Sequence, residues 1–424
     1  MNLPKFPTTN RQKEIYLKGF SGIRSEVPVD WKMLEEKARK QMSPEAFAYI
    51  AGGAGLESTI ASNRSAFEKY KIVPRMLRNV SERDSSIELF GHKIPAPLLF
   101  SPVGVLEMVH PEADLAVGRA AAKEGLPFIF SNQASKPMEE VAAAMGDSPR
   151  WFQLYWSKSN DLVASLVARA ERCGCSAIVV TLDTTLLGWR TRDLDLSYLP
   201  FLEGKGIAQY TSDPVFQRLM DEPDNGSAPR KLTLASLTGL FKMVKAYPGN
   251  GFIKKLRSGR PVKAVRKFTD IYSNPALTWK DLAFLRQQTK LPILLKGILH
   301  PEDASLAVSH GVNGIIVSNH GGRQVDGSIS TLEALPEIVK VVRTQVPVLL
   351  DGGIRGGADM FKALALGATA VCIGRPYVYG LTIGGEEGVR EVAQNLMADF
   401  DLTMGLSGCK NIAEIKSETL IRSY

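Results

Sequence analysis

Eight short runs rich in Ile, Val, Leu and Phe recur along the 424-residue chain, most of them ending in Gly, Asn, Asp or Ser. They lie at 94–104, 127–132, 150–155, 177–183, 292–297, 314–319, 347–353 and 370–375. Near-continuous apolar runs of strand length are what a parallel sheet buried on both faces requires. Amphipathic stretches of helical period separate them, at 112–124, 161–173, 301–310, 331–345 and 358–366. Pro301 near one helix start and Gly311 past its end follow the usual asymmetry of helix termini. Strand–helix alternation repeated eight times predicts an α/β fold, a (β/α)8 TIM barrel. An open doubly wound sheet is the alternative, but no G-x-G-x-x-G follows the first strand.

Two regions fall outside the repeat. Residues 1–90, with helical stretches at 30–41 and 43–51, read as an N-terminal helical extension packing on a barrel that occupies 91–424. The connection between strands four and five, about 184–278, is far longer than a βα unit needs, and such segments usually serve as lids or mobile loops. No apolar run is long enough to span a bilayer, and the first residues lack a secretory apolar stretch, so a cytoplasmic protein without membrane contact is expected. Cys173 and Cys175 are too close for the usual zinc pairs; the four cysteines read as reduced, mostly buried thiols, and no metal is expected. The net charge of +8 gathers in 242–267. That stretch has no aromatic platform or binding motif, so a solvated loop, a subunit contact or an anionic membrane surface explains it better than a nucleic-acid groove.

A barrel of this kind builds its site at the C-terminal ends of its strands. The chemically capable residues fall there: Gln153 and Tyr155 after strand three, Thr181 and Asp183 after four, Lys296 after five, and Ser318, Asn319 and His320 after six. Asp351-Gly352-Gly353-Ile354-Arg355 follows strand seven and Gly374-Arg375 strand eight. Lys296 continues a buried apolar run, so its charge needs a partner or a ligand. Arg355 and Arg375, beside glycines that expose backbone N–H groups, suit a cofactor phosphate. His320 alone among five histidines sits at a strand end, and Asp183 is positioned to hold its tautomer.

These motifs resemble the FMN-dependent α-hydroxy acid oxidase and dehydrogenase family from about Asp30 onward. Ser318-Asn319-His320-Gly321-Gly322-Arg323-Gln324, Leu295-Lys296-Gly297-Ile298 and Asp351-Gly352-Gly353-Ile354-Arg355 with Gly374-Arg375-Pro376 carry the resemblance. It implies bound FMN, a small L-2-hydroxy acid and O2 as reactants, and a homotetramer or homo-octamer. It also implies roles. His320 would be the base, paired with Asp183, and Tyr155 would contact the reacting hydroxyl. Tyr49 and Arg323 would bind the substrate carboxylate, and Arg190 would be a further substrate-binding arginine. Lys296 would stabilise negative charge on the reduced ring. Pro102, Val103, Gly104, Ser131, Gln153, Thr181 and Ser318 would border the ring and ribityl chain, with Asp351, Gly352, Gly353, Arg355, Gly374 and Arg375 at the ribityl and phosphate end.

Within the family, Trp151-Phe152-Gln153-Leu154-Tyr155-Trp156, Leu187-Gly188-Trp189-Arg190 and the length of 184–278 are similar to the lactate 2-monooxygenase branch, which turns L-lactate and O2 into acetate, CO2 and water. The rival expectations are an oxidase that releases pyruvate and H2O2, a dehydrogenase that passes electrons to a quinone or cytochrome, and a non-catalytic flavin-binding barrel. Two residues depart from common patterns. Pro102-Val103-Gly104 stands where many oxidases have Pro-Thr-Ala, and Gln133 replaces a bulky aromatic, so size rules for the substrate do not transfer.

Overall fold

A computed structural model describes residues 8–222 and 233–422. Eight parallel strands close into a barrel: β1 (Leu98–Phe100), β2 (Phe128–Phe130), β3 (Arg150–Leu154), β4 (Ile178–Thr181), β5 (Ile293–Ile298), β6 (Gly314–Val317), β7 (Val348–Asp351) and β8 (Ala370–Ile373). Closure comes from β8 pairing with β1, Val371 opposite Leu98. The predicted barrel is the observed fold, with one strand corrected. The sequence predicts a single strand over 94–104, whereas Ile94 belongs to an antiparallel hairpin, Ile87–Leu89 with His92–Ile94. Pro95 and Pro97 remove two backbone donors between hairpin and barrel, so the ladder cannot run through.

Side chains alternate across a strand, so every second residue of each strand points at the barrel axis. The inner apolar layer is Leu99, Ile129, Trp151, Val179, Leu294, Ile316, Leu349 and Cys372, joined by Leu89 and Ile94 of the hairpin. Phe90 at the hairpin tip lies edge-on to Trp151 at 5.5 Å. The N-terminal end of the barrel is thus plugged. Two positions further along the same eight strands come Ser101, Ser131, Gln153, Thr181, Lys296, Ser318, Asp351 and Gly374. The alternation that fills the core therefore turns these residues inward at the open end.

The covering helices follow their apolar spacing. Asn160–Arg172, capped by Ser159 whose side chain accepts from Leu162 N, buries Leu162, Val163, Leu166, Val167 and Ala170. Each larger side chain on that face contributes roughly 1.5–3 kcal/mol. The two predicted N-terminal helices form at Trp31–Gln41 and Pro44–Ala51, capped by Asp30 and Ser43. Helices Thr8–Phe20, Ser58–Glu68, Met138–Met145 and Leu282–Gln288 and the helical run Arg375–Leu406, which kinks at Gly384-Gly385, are additional.

The long connection after β4 is helical rather than loop-like. It includes Pro200–Glu203, Ala208–Thr211, Pro214–Leu219, Leu234–Ala246, Phe252–Ser258 and Arg260–Ile271; residues 223–232 of this predicted insertion lie outside the described residues. Buried Phe201, Tyr210, Phe216 and Phe268 give it a core of its own, with Tyr210 and Phe268 4.8 Å apart and Phe201 and Phe268 5.1 Å apart. Arg169 ties this core to the barrel helices through Asp213 at 3.1 Å and Glu139 at 2.8 Å. Cys175, Cys372 and Cys409 are buried and Cys173 is half-buried, all four with free thiols.

Candidate active site

The C-terminal end of the barrel opens into a cavity of about 1080 Å³ including its mouth, near the upper end of the range for small-molecule and cofactor sites. Tyr49, Tyr155, Arg190, Lys296, His320 and Arg323 line it. So do Pro102, Val103, Gly104 and Ser131 on one side and Asp351, Gly352, Gly353, Arg355, Gly374 and Arg375 on the other. Gln153, Thr181, Asp183 and Ser318 complete the ring of strand ends around it. All the residues predicted for the site are therefore brought to one end of the barrel.

His320 leaves β6 in a left-handed conformation, φ 56°, and Gly321 and Gly322 continue it at 63° and 78°. A non-glycine residue there is strained by about 1–2 kcal/mol. The backbone N–H of His320 donates to Ser318 Oγ at 3.0 Å, which holds the turn. Its Nδ1 lies 2.7 Å from Asp183 Oδ1. Burial lowers the His320 pKa below its ordinary value, and the nearby Asp183 carboxylate opposes this only in part. Burial raises the Asp183 carboxyl, but His320 and Lys296 outweigh it and hold the group below its usual range. The pair thus rests as a neutral imidazole beside a carboxylate. With Nδ1–H donating to Asp183, the lone pair of Nε2 is free to accept a proton.

Lys296 is almost fully buried, between Asp351 Oδ2 at 3.0 Å and Ser318 Oγ at 2.7 Å. Burial disfavours its charge, yet Asp351 and Asp183 outweigh that and keep it protonated. A fixed cation therefore stands at the barrel axis, one strand from His320. Among the described residues, Gln153 Nε2, Thr181 Oγ1 and Asp351 Oδ1 at these strand ends, and Arg355 Nε beyond β7, are buried without a protein partner. Buried polar atoms left unpaired cost about 1–3 kcal/mol each, which marks the ring of strand ends as built for a polar guest.

Arg323 donates to the carbonyl oxygens of Tyr49 and Gly52, the latter at 2.9 Å, and lies over the Tyr49 ring at 5.0 Å. Arg190 approaches the same ring at 6.0 Å and donates to Gln324 Oε1 at 3.1 Å. Among the described residues neither guanidinium has a carboxylate within ion-pair distance, and burial together with Arg190 pushes Arg323 down to about 9, although the more distant Asp193 opposes this in part. Two buried cations held this close call for an anion. On the far side, Arg375 donates to Ile50, Gly321 and Gly52 carbonyls at 3.0–3.1 Å. One long helix begins there at Arg375, and Gly374 and Arg375 at its start line the cavity, an end that suits a phosphate. Gly353, at φ 87°, must be glycine, since a Cβ would come within 2.3 Å of Asn63 O.

Several residues were not legible as site residues. Thr184 Oγ1 lies 3.1 Å from both Asp183 Oδ1 and His320 Nδ1; its position directly after Asp183 is the signal that could have found it. Gln324 Nε2 donates to the carbonyls of Asp183 and Leu186 at 2.8 Å, fixing the start of the insertion. Phe201 and Tyr272 reach the cavity from the insertion, where no motif announces them. Gly104 has a tighter setting than the sequence implies. A methyl there would sit 3.0 Å from Gln133 Cβ and O, so the space it leaves adjoins Gln133.

Fold and site together define a barrel enzyme that handles a small organic acid with a phosphate-bearing cofactor. The chain belongs to the FMN-dependent dehydrogenase family, whose model matches residues 38–422. It is similar to an L-lactate oxidase of Lysinibacillus sphaericus (strain C3-41), 41% identical over 98% of each chain. Glycolate oxidase of Spinacia oleracea is 40% identical over 90% of this chain and 92% of its own. Among solved structures, mandelate oxidase with (S)-4-hydroxymandelic acid superposes with a TM-score of 0.76 and 36% identity, over 93% of this chain and 98% of that one. FMN is the cofactor, and the activity is oxidation of an α-hydroxy acid. The unpaired atoms of Gln153, Thr181, Asp351 and Arg355 are of the donor and acceptor kinds that a flavin edge, ribityl chain and phosphate require.

Proposed function

We propose that the chain oxidises L-lactate with O2 to acetate, CO2 and water. One observation carries the reading. The neutral His320–Asp183 pair and the unpaired cations Arg323 and Arg190 face a single cavity, so an acid held by the arginines lies within reach of the base. The relative named L-lactate oxidase supports lactate as the acid, and the aromatic walls Tyr49, Tyr155, Phe201 and Tyr272 suit a small one.

Arg323 and Arg190, with Tyr49, bind the carboxylate; planar guanidinium groups do so bidentately and reject molecules lacking it. Tyr155 contacts the C2 hydroxyl. His320 Nε2 takes the proton from the reacting centre, and Asp183 keeps the imidazole in the tautomer that can accept it and stabilises the cation formed. Bound FMN supplies the two-electron acceptor and its reoxidation by O2. Ser131, Gln153, Thr181 and Ser318 hold the ring, while Asp351, Gly353, Arg355, Gly374 and Arg375 hold the ribityl phosphate. Lys296 sets positive charge where negative charge develops on reduction. The insertion, through Phe201 and Tyr272, slows escape of pyruvate until it has reacted with peroxide.

A second reading is a plain oxidase releasing pyruvate and H2O2, which the same relative's name favours. The deciding experiment is incubation with L-lactate in air. One acetate and one CO2 per lactate support the monooxygenase; pyruvate with stoichiometric H2O2 removes it.

A further inference from the structure

The insertion carries a second feature, apart from the cavity. From Thr233 to Thr269 the chain holds no Asp or Glu, and 242–267 contains nine Lys and Arg residues. Helix Phe252–Ser258 has no buried residue, yet it contains Phe252, Ile253 and Leu256, which are 38%, 63% and 42% exposed. Helix Leu234–Ala246 adds Leu237 and Phe241, at 55% and 54%. The Phe241 and Phe252 rings are 5.1 Å apart, so the apolar side chains of the two helices form one continuous patch. Its base is firm, because Met243 and Val244 on one side and Ala264, Val265 and Phe268 on the other are buried in the insertion core.

The cations around the patch are only partly neutralised. Lys242 pairs with Glu203 at 2.5 Å, Arg260 with Asp221 at 3.3 Å and Lys267 with Glu222 at 3.6 Å. Lys255 donates to the Tyr247 carbonyl at 2.7 Å. Among the described residues, Lys245, Lys254, Arg257 and Lys263 have no carboxylate within ion-pair distance, and Lys245, Lys254 and Arg257 stand on the same two helices as the exposed apolar residues.

We infer that this patch docks on the surface of an anionic lipid bilayer. The combination is what an interfacial element requires: apolar side chains entering the headgroup–acyl boundary and cations among the anionic headgroups. Charge decides against a second copy, since two such patches facing each other would set like charges together. A nucleic acid is served less well, since three of the five exposed apolar side chains, Leu237, Ile253 and Leu256, offer no ring for bases to stack on and call for an apolar phase instead. Among the described residues no helix is long and apolar enough to cross a membrane, and a surface contact needs none.

Co-sedimentation of the FMN-loaded enzyme with vesicles tests this. With about 40% phosphatidylglycerol in phosphatidylcholine at low salt, the enzyme should pellet, and roughly 0.5 M salt should reduce the bound fraction about tenfold. Vesicles of phosphatidylcholine alone should bind little. The double variant Phe252→Asp/Ile253→Asp should lose at least about tenfold in vesicle affinity, while flavin content, turnover and particle size by light scattering stay as in the parent. Absence of pelleting with anionic vesicles, or equal pelleting with phosphatidylcholine alone, overturns the inference. So does a double variant that binds as the parent does. A double variant whose assembly falls apart assigns the patch to a contact between copies and equally overturns it.

Discussion

The barrel mouth and the insertion over it are built by different means. At the mouth each working group is fixed by polar contacts: His320 by Asp183 and Ser318, Lys296 by Asp351 and Ser318, Arg375 by three carbonyls. The insertion reaches the cavity at its start through Thr184, Leu187 and Arg190; further along it does so, among the described residues, through Phe201 and Tyr272, where its cohesion is largely aromatic packing. Hydrogen bonds fix an atom to fractions of an ångström, whereas apolar packing tolerates sliding. The mouth therefore determines which bond reacts. In the proposed reaction the insertion governs how long the product stays, and mutations in the two regions should separate those properties.

The largest effect belongs to the base. His320→Gln should keep FMN bound but slow flavin reduction by L-lactate about 10²–10⁴-fold, measured anaerobically by stopped-flow bleaching of the flavin. Reduction within tenfold of the parent rate would remove His320 from its role and blur the division between regions. Asp183→Asn should come next, with a loss of about a hundredfold or more because the imidazole tautomer is no longer held. It also has a pH signature. Burial holds the His320 pKa below its ordinary value of 6.5, so the parent rate should be level at pH 7 and fall only as acid protonates the imidazole. Asp183 raises that pKa. Its removal moves the inflection to still lower pH, and an inflection that moves upward would contradict the pairing.

A smaller effect should follow from Arg323→Lys. The ammonium cannot reproduce a planar contact to a carboxylate while also reaching the carbonyls of Tyr49 and Gly52. Loss of about 2 kcal/mol of binding corresponds to a rise in KM of roughly thirtyfold with less change in kcat. Steady-state kinetics with L-lactate read it directly, and an unchanged KM would take Arg323 out of carboxylate binding.

The same division explains what could be read from the sequence. The barrel was legible because seven of the eight strands repeat one pattern, an inward apolar residue followed two places later by a polar one, as in Leu294 and Lys296 or Leu349 and Asp351. The placement of the candidate site residues came with it, since the fold sends strand ends to one face. β1 was misjudged because Ile94 is as apolar as the strand it precedes; only Pro95 and Pro97 mark the break. The insertion was legible in length but not in form. Its helices are short, and their apolar residues serve a local core around Phe268 rather than the barrel, so no period connects them to the site. The positions of Phe201 and Tyr272 on the cavity depend on long-range packing, which local pattern does not encode.

That packing supplies the smallest and most selective prediction. Phe201 lines the cavity, meets Tyr49 edge-on at 6.4 Å and rests on Phe268 at 5.1 Å. It is the ring through which the insertion core touches Tyr49 of the proposed substrate clamp. Phe201→Ala removes that wall without touching a group that carries a proton or a charge, so flavin reduction by L-lactate should change by less than about threefold. The outcome after reduction should change more. A looser wall lets pyruvate leave before it meets peroxide, and the ratio of pyruvate to acetate should rise severalfold, with H2O2 appearing in step. Quenched-flow reduction and product analysis on the same preparation separate the two. A variant that reduces flavin a hundredfold more slowly with its product ratio unaltered would make the insertion part of the chemical machinery, and the proposed separation of reaction from retention would fail.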